Sequence, residues 1–270
     1  MLDFQKKIMM SESITDNTKY YWGYQFNLAK DYLVDYLKKI NAFKKSDKII
    51  EIGCGEGGVL DAFVLAGASN ALGTDIVEQR LERAREICKI GEIHIEFVNH
   101  DVINEEPLNN WLDTYNLGFL RDVIEHLDDT YTALSNIKKI IKSGGYLFVT
   151  FPPYYYPFGG HQHTLGNFWG KIPYIHILPD FVFHRLIKSG RDCDIDEVKR
   201  LQSIKLTTKK FEDAASKAGY VIAHSDFYLL RPVFKMKFGL PSIKLTFLKK
   251  FPLIKRFFIL EAAYLLKKII

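Results

Sequence analysis

The stretch IIEIGCGEGG (Ile49–Gly58) decides the fold. A short apolar run, KIIEI from Lys48, ends in glycines, and Val59, Leu60, Ala62, Phe63 and Ala66 then recur at helical spacing up to Gly67. That pattern predicts a strand, a tight turn and a helix whose C-cap is Gly67. Glycines at such a turn let the backbone approach a ligand closely and aim free N–H groups at it. Read as Gly53-x-Gly55-x-x-Gly58, the turn meets the dinucleotide fingerprint. Asp75 follows Gly53 by 22 residues and closes a second apolar run, Ala71–Thr74, where a carboxylate can accept both ribose hydroxyls. These two features alone fit a nicotinamide cofactor and other adenosine ligands equally.

Working outward, strand and helix patterns alternate. Ala29, Leu33, Tyr36, Leu37 and Ile40 predict an amphipathic helix over 24–41, and a second helix is expected over 76–90. Strands are expected at 93–98, 116–121 and 146–151. DDTYTALSNIKKIIK (128–142) pairs an acidic start with a terminal Ser143-Gly144-Gly145, which frames a helix. TTKKFEDAASKAGY restarts the pattern at Thr207, and YVIAHSDFYLL (220–230) reads as a sixth strand. Alternation of this kind predicts a parallel sheet with helices on both faces, interrupted by residues 152–206.

Asn99-His100-Asp101-Val102 closes the third strand, and LRDVIEHLDD (120–129) closes the fourth. With these segments in order, the sequence resembles the class I S-adenosylmethionine-dependent methyltransferases over 48–151 and, from Thr207, to about 230. IIEIGCGEGG looks like their nucleotide loop, with Glu51 as its acid, and GTDIVEQRLERAR (73–85) like their ribose-binding segment. The resemblance implies a doubly wound, Rossmann-like α/β sheet, mostly parallel and of about seven strands. It also implies that Gly53, Cys54, Gly55 and Gly57 wrap the methionine part of S-adenosylmethionine. Asp75 would hold the ribose diol and Ile76 would pack on adenine. Asp101 and the Val102 N–H would meet the adenine edge, while Arg121 and Asp122 would line the sulfonium side. A dehydrogenase has no use for the DVIEHL stretch.

FPPYYYPFGGHQHTLGNFWG (151–170) follows the fifth strand, at the sheet edge where ligands bind in open α/β folds. Pro152, Pro153 and Pro157 stiffen it, and Gly159-Gly160 permits a reversal that brings His161 and His163 together. The expected result is an aromatic lip of Tyr154, Tyr155 and Tyr156 over the acceptor, although the same tyrosines could serve only to pack the loop. A hydroxyl acceptor needs a base, and the candidates in order are His161, His126 and His163. An amine acceptor would instead use the aromatic wall as a cradle. His161, His163, His176 and Cys193 lack the spacing of metal ligands, so no metal is expected. The run FPPYYYPFGGHQH also resembles a methyltransferase subgroup associated with cell-surface glycan assembly, which implies a sugar hydroxyl or a glycolipid as acceptor.

Charge is unevenly spread. Residues 233–270 hold nine Lys/Arg and one Glu, a net of +8, which leaves −3 on the other 232 residues. The final stretch, KLTFLKKFPLIKRFFILEAAYLLKKII, interleaves lysines with Phe247, Phe251, Phe257 and Phe258. That composition predicts either a basic helical tail on an anionic membrane face or a C-terminal helix docked with its charges in water. The acidic body argues against nucleic acid as a partner. Cys54, Cys88 and Cys193 form no pair pattern, and MLDFQKKIMMSES lacks the apolar core of a signal peptide, so a cytoplasmic protein, peripheral at the inner membrane face, is expected. The divisions expected are an N-terminal helical segment (1–47), a cofactor-binding core (48–151), a substrate cap (152–206), completion of the core (207–232) and the basic amphipathic tail (233–270). The expected function is O-methylation of a sugar or other hydroxyl on a glycan or lipid-linked intermediate. N- or C-methylation of a small metabolite is the alternative within enzymes, and a non-catalytic cofactor-binding adaptor at a membrane the alternative outside them.

Overall fold

The computed structural model of the chain describes residues 2–269. Its strands are β1 (Lys48–Ile52), β2 (Asn70–Asp75), β3 (Glu96–Asn99), β4 (Tyr115–Arg121), β5 (Ile141–Phe151), β6 (Tyr220–Leu230), β7 (Ile243–Lys244) and β8 (Glu261–Lys268). They form one sheet in the order β3-β2-β1-β4-β5-β8-β6-β7. The first five are mutually parallel, β8 is antiparallel to both β5 and β6, and β7 is antiparallel to β6. The sheet is therefore mixed, with eight strands among the described residues rather than about seven. Strand order reverses between β1 and β4, so the crevice beyond their carboxyl ends is the ligand-binding position of the fold.

Helices α1 (Leu2–Met10), α2 (Asp16–Leu28), α3 (Val34–Lys39), α4 (Gly58–Leu65) and α5 (Glu78–Gly91) cover one face of the sheet. The helix expected over 24–41 in fact starts at Asp16, where Thr15 accepts the Thr18 N–H, and runs through a π turn at Ala29–Leu33 into α3. Helix α6 (Thr130–Ile140) lies on the other face. Side chains alternate accordingly: Leu117 and Phe119 point to the first face, and Leu120 to the second. The insertion after β5 carries α7 (Asp180–Ile187) and α8 (Asp192–Ile204) on short 3-10 turns. It has a small core of its own, made of Leu165, Ile175, Phe183, Ile187 and Val198. Helix α9 (Thr208–Lys217) then returns to the α6 side.

The structure corrects the expected helical tail. After α10 (Val233–Phe238) and α11 (Pro252–Phe258), the chain does not continue as an amphipathic helix but inserts β8 into the middle of the sheet. All residues from Glu261 to Leu266 are buried. A strand covered on both faces reads as an unbroken apolar run, and AAYLL is as compatible with a buried helix as with such a strand. The sheet is thus completed by 261–268 and not at 232.

Beneath the glycine turn, Trp22 Nε1 donates to Asp61 Oδ2 at 2.7 Å and Cys88 Sγ donates to Oδ1 at 3.5 Å. A Cβ on Gly58 would lie 2.6 Å from the Trp22 carbonyl oxygen, so α2 rests directly on the start of α4. Burial raises the Asp61 pKa to about 7, against the two hydrogen bonds that favour the carboxylate. The folded chain therefore keeps a proton that the unfolded chain releases near the ordinary carboxylate value of about 4. The stability Asp61 contributes is complete below that value and is lost as pH climbs to about 7. We expect the urea midpoint to fall over this window in the wild type and to fall less steeply in Asp61→Asn, with Glu51 retaining its own share of the slope. Identical slopes in the two proteins would contradict a buried, protonated Asp61.

Candidate active site

At the glycine turn, Gly53, Gly55 and Gly57 have φ of +70°, +54° and +78°. A Cβ on Gly53 would also fall 2.4 Å from Val123 Cγ2, so the turn is pressed against the loop after β4. Gly55 N–H donates to Asp75 Oδ2 at 2.9 Å and Val77 N–H to Oδ1 at 3.0 Å, which fixes the carboxylate at the end of β2. Arg80 reaches back from α5 and holds both oxygens of Glu56 at 3.2 and 3.3 Å. Sequence reasoning missed this clamp, whose only signal was a charge pair on the two segments already singled out.

Two cavities meet here. One of about 190 Å³ lies between α2 and the turn, lined by Tyr24, Gln25, Glu51 and Arg121. Another of about 520 Å³ runs past the ends of β2 and β3, lined by Asp75, Ile76, His100, Asp101, Val102 and His126. Both are bordered by Gly53, Arg80, Asp122 and Val123, so they form one crevice. Glu51 is buried and its Oε2 has no partner; burial lifts its pKa to about 8. A cationic amino group in the smaller cavity would satisfy that oxygen. Arg121 donates to Gln25 Oε1 at 2.7 Å, which ties β4 to α2 across the cavity. Cys54 is buried, which pushes its thiol pKa well up and keeps it neutral.

At the far end, Ile76 is exposed and offers an apolar wall, while Val102 is buried and helps to form the floor. Asp101 is held by Asn104 Nδ2 at 2.9 Å and by the Ile103 and Asn104 N–H groups, and the Asn104 bond leads in lowering its pKa. A fixed acceptor beside an apolar wall, a fixed carboxylate at mid-crevice and an orphaned acid in the smaller cavity suit an adenosyl group bearing an amino-acid tail. We expect Asp75→Ala to weaken S-adenosylmethionine binding by ~1.5–3 kcal/mol, the worth of hydrogen bonds to a charged group. Unchanged affinity by calorimetry would remove the ribose role.

The loop after β4 lines the crevice and also meets the segment after β5. His126 and His161 have ring centroids 4.9 Å apart, and His161 and His163 5.6 Å apart. All three sequence candidates therefore gather in one place. His161 sits at φ +53°, a left-handed conformation that a side chain rarely adopts. The residue sequence reasoning missed is Glu125: it is buried, and neither carboxylate oxygen has a hydrogen-bond partner. Its Oε1 lies 3.6 Å from His161 Nε2 and 3.8 Å from His126 Nε2. Glu197, on α8 of the insertion, accepts from His126 Nδ1.

The electrostatics separate the three histidines. Burial holds His161 well below the ordinary histidine pKa, with His126 and His163 adding to the effect. His163 is lowered by burial, with the Arg231 charge adding to it. Burial also opposes charge on His126, but its bond to Glu197 and the Glu125 carboxylate outweigh it and raise its pKa. Burial pushes Glu125 upward.

The tyrosine lip is not assembled as expected. Tyr154 and Tyr156 are buried; Tyr154 OH donates to the His176 carbonyl at 3.2 Å, and Tyr156 joins the core on the α6 face. Only Tyr155 is exposed. Gly159 explains the packing, since a Cβ there would lie 2.1 Å from the Pro153 carbonyl oxygen. The loop folds tightly on itself, and two of the three rings fill its underside.

Fold and crevice together define a class I S-adenosylmethionine-dependent methyltransferase. A methyltransferase-domain model matches residues 21–191, more than half of the chain, and the chain belongs to that family, with S-adenosylmethionine as its cofactor. Over 115 residues it is 24% identical to the ubiquinone biosynthesis O-methyltransferase of Hydrogenovibrio crunogenus, covering 43% of this chain and 46% of that one. Over 104 residues it is 28% identical to the mitochondrial ubiquinone biosynthesis O-methyltransferase of Homo sapiens, covering 38% and 28% of the two. The match thus spans less than half the length of these curated relatives. Among solved structures, an S-adenosylmethionine-dependent methyltransferase from Mesorhizobium loti aligns with TM-score 0.54 at 16% identity, covering 86% of this chain and 96% of that one. One from Clostridium acetobutylicum aligns with TM-score 0.57 at 11% identity, covering 90% and 92%. At these identities the structures speak for the fold.

Proposed function

We propose that the protein O-methylates a hydroxyl, carried by a sugar or a related group on a glycan or lipid-linked intermediate. The observation that carries the reading is buried Glu125 beside His161, next to His126, which lines the cofactor crevice. When bound, S-adenosylmethionine supplies an activated methyl group on a sulfonium. What the protein adds is position, exclusion of water and a destination for the hydroxyl proton. His161 is kept neutral by burial and can take that proton. The O–H bond breaks, an N–H bond forms on the imidazole, and the adjacent Glu125 carboxylate offsets the charge that develops there. His126 is engaged by Glu197 and serves to hold the cluster in place. Curated relatives named as O-methyltransferases of ubiquinone biosynthesis support a hydroxyl acceptor.

Support for a membrane-borne acceptor comes from the segment before β8. Phe247, Phe251, Phe257 and Phe258 are all exposed, with Lys249 and Lys250 between them. Tyr174 of the insertion donates to the Phe257 carbonyl at 2.7 Å, so this surface is continuous with the substrate cap. Basic and aromatic residues interleaved in this way suit an anionic leaflet. Among the described residues no helix is long and apolar enough to cross a membrane.

The test is to incubate the protein with methyl-labelled S-adenosylmethionine and a lysate from cells lacking it, then partition the label. Label in an organic phase supports a lipid-linked hydroxyl, and label in polymeric glycan supports a sugar without the membrane contact. If the label enters an amine or a carbon atom, the hydroxyl reading falls. If no fraction is labelled although cofactor binds, the non-catalytic adaptor takes its place.

A further inference from the structure

We infer that Glu125, His126 and His161 form a binding site for a divalent cation of the zinc, manganese or iron(II) class, open on the side of the cofactor crevice. One ligand atom from each residue lies within 4.8 Å of the others. Two ligands held about 2.0–2.1 Å from a tetrahedral ion sit about 3.3 Å apart. The Glu125 Oε1 separations of 3.6 Å to His161 Nε2 and 3.8 Å to His126 Nε2 are within a few tenths of an ångström of that spacing.

The independent sign of a ligand is Glu125 itself. It is only 3% exposed, yet neither of its oxygens receives a hydrogen bond, and the Nε2 atoms of both imidazoles lie close to its Oε1. Buried carboxylates are ordinarily matched by donors or by a cation. The two imidazole Nε2 atoms stand beside it at 3.6 and 3.8 Å, beyond ordinary hydrogen-bond reach.

The outer contacts match those of metal-binding histidines. His126 Nδ1 is held by the Glu197 carboxylate, which leaves Nε2 for an ion. A carboxylate behind a ligating histidine fixes its orientation and raises its basicity. Two imidazoles and a carboxylate select a borderline transition ion over magnesium or calcium, and they leave coordination positions vacant. His126 lines the crevice, so a hydroxyl entering there can reach the ion as a further ligand.

This site deepens the hydroxyl reading without depending on it, because binding is measured without any acceptor. The full-length protein, stripped with a chelator, is titrated with zinc chloride and separately with manganese chloride in a calorimeter. We expect about one ion per chain, and binding lost in both Glu125→Gln and His161→Ala. Glu197→Gln should bind ~10–100-fold more weakly, as a lost outer partner does. Intact cofactor binding and circular dichroism show that each variant is folded. No ion bound by the wild type, or wild-type binding in both ligand variants, overturns the site. In that case Glu125 has no ion to bind and serves only beside His161, and the hydroxyl reading stands with His161 as base. If an ion binds but the methyl group is found on a nitrogen or carbon, the site stands and the hydroxyl reading falls.

Discussion

His161→Ala lowers turnover by ~10²–10⁴, the loss expected when a proton acceptor is removed, and leaves cofactor affinity close to that of the wild type. The two halves of this expectation come from different parts of the structure. The groups lining the crevice lie on the glycine turn and at the ends of β2 and β3, whereas His161 enters from the insertion after β5. Its ring lies beside Glu125, His126 and His163, and its backbone bonds to Phe158 and Thr164, all outside the glycine turn and the ends of β2 and β3. Whether it accepts the proton directly or ligates an ion that acidifies the hydroxyl, chemistry suffers before binding does. Single-turnover rates against calorimetric affinity separate the two. His163→Ala is the comparison: His163 sits beside Phe158, and Glu125 is not among its contacts, so a small effect is expected. If His161→Ala turns over normally with the true acceptor, the base is not a histidine of this cluster.

Much of this site was legible in the sequence because its cofactor half follows local rules. A turn that needs positive φ needs glycine, and a carboxylate at the end of the second strand is found by counting from it. Gly53, Gly55 and Asp75 are therefore readable without a structure. His161 and His163 were also readable, since prolines and paired glycines after the fifth strand imply a rigid reversal, and His126 lay in the loop that closes the fourth. Glu125 was not. It lies next to a chosen histidine, but a glutamate in a loop is normally solvated, and only burial without donors makes it exceptional. Tyr154 and Tyr156 failed for the opposite reason. Aromatic residues suit a ligand wall and a packed loop equally well, and Gly159 decides the matter through a close backbone approach that composition does not reveal.

The tail shows a different limit. Nine cations in 233–270 dominated the pattern, and the single acid among them, Glu261, carried the structural information. Because β8 starts at the carboxyl edge, where Ala262 pairs with Phe151, Glu261 is delivered beside the site. There it accepts from Arg231 Nε at 2.7 Å, while Arg231 also pairs with Asp122. A lone buried acid in a basic segment was the signal, but using it required knowing that the segment was a strand.

Arg231→Met is expected to destabilise the fold by about 3–5 kcal/mol, the range for removing one partner of a buried ion pair. Methionine keeps most of the apolar stem, so the loss reports the charge and not a cavity. Arg231 is 17% exposed in its side chain and Glu261 6%, so water can do little to replace the guanidinium. Two neighbouring carboxylates would be left facing each other, and the Asp122 backbone, at φ +53° in the crevice wall, would lose its anchor. Glu261→Gln on the Arg231→Met background removes one of those charges and should recover part of the stability. Lys209→Met provides the contrast. The Lys209–Asp213 pair is exposed on α9, and its loss should cost about 0.5 kcal/mol or less. Urea unfolding at neutral pH measures all four proteins. A loss below about 1 kcal/mol for Arg231→Met would place this cluster with ordinary surface pairs. A large loss without recovery in the double variant would mean that Arg231 acts by donating hydrogen bonds, with charge balance secondary.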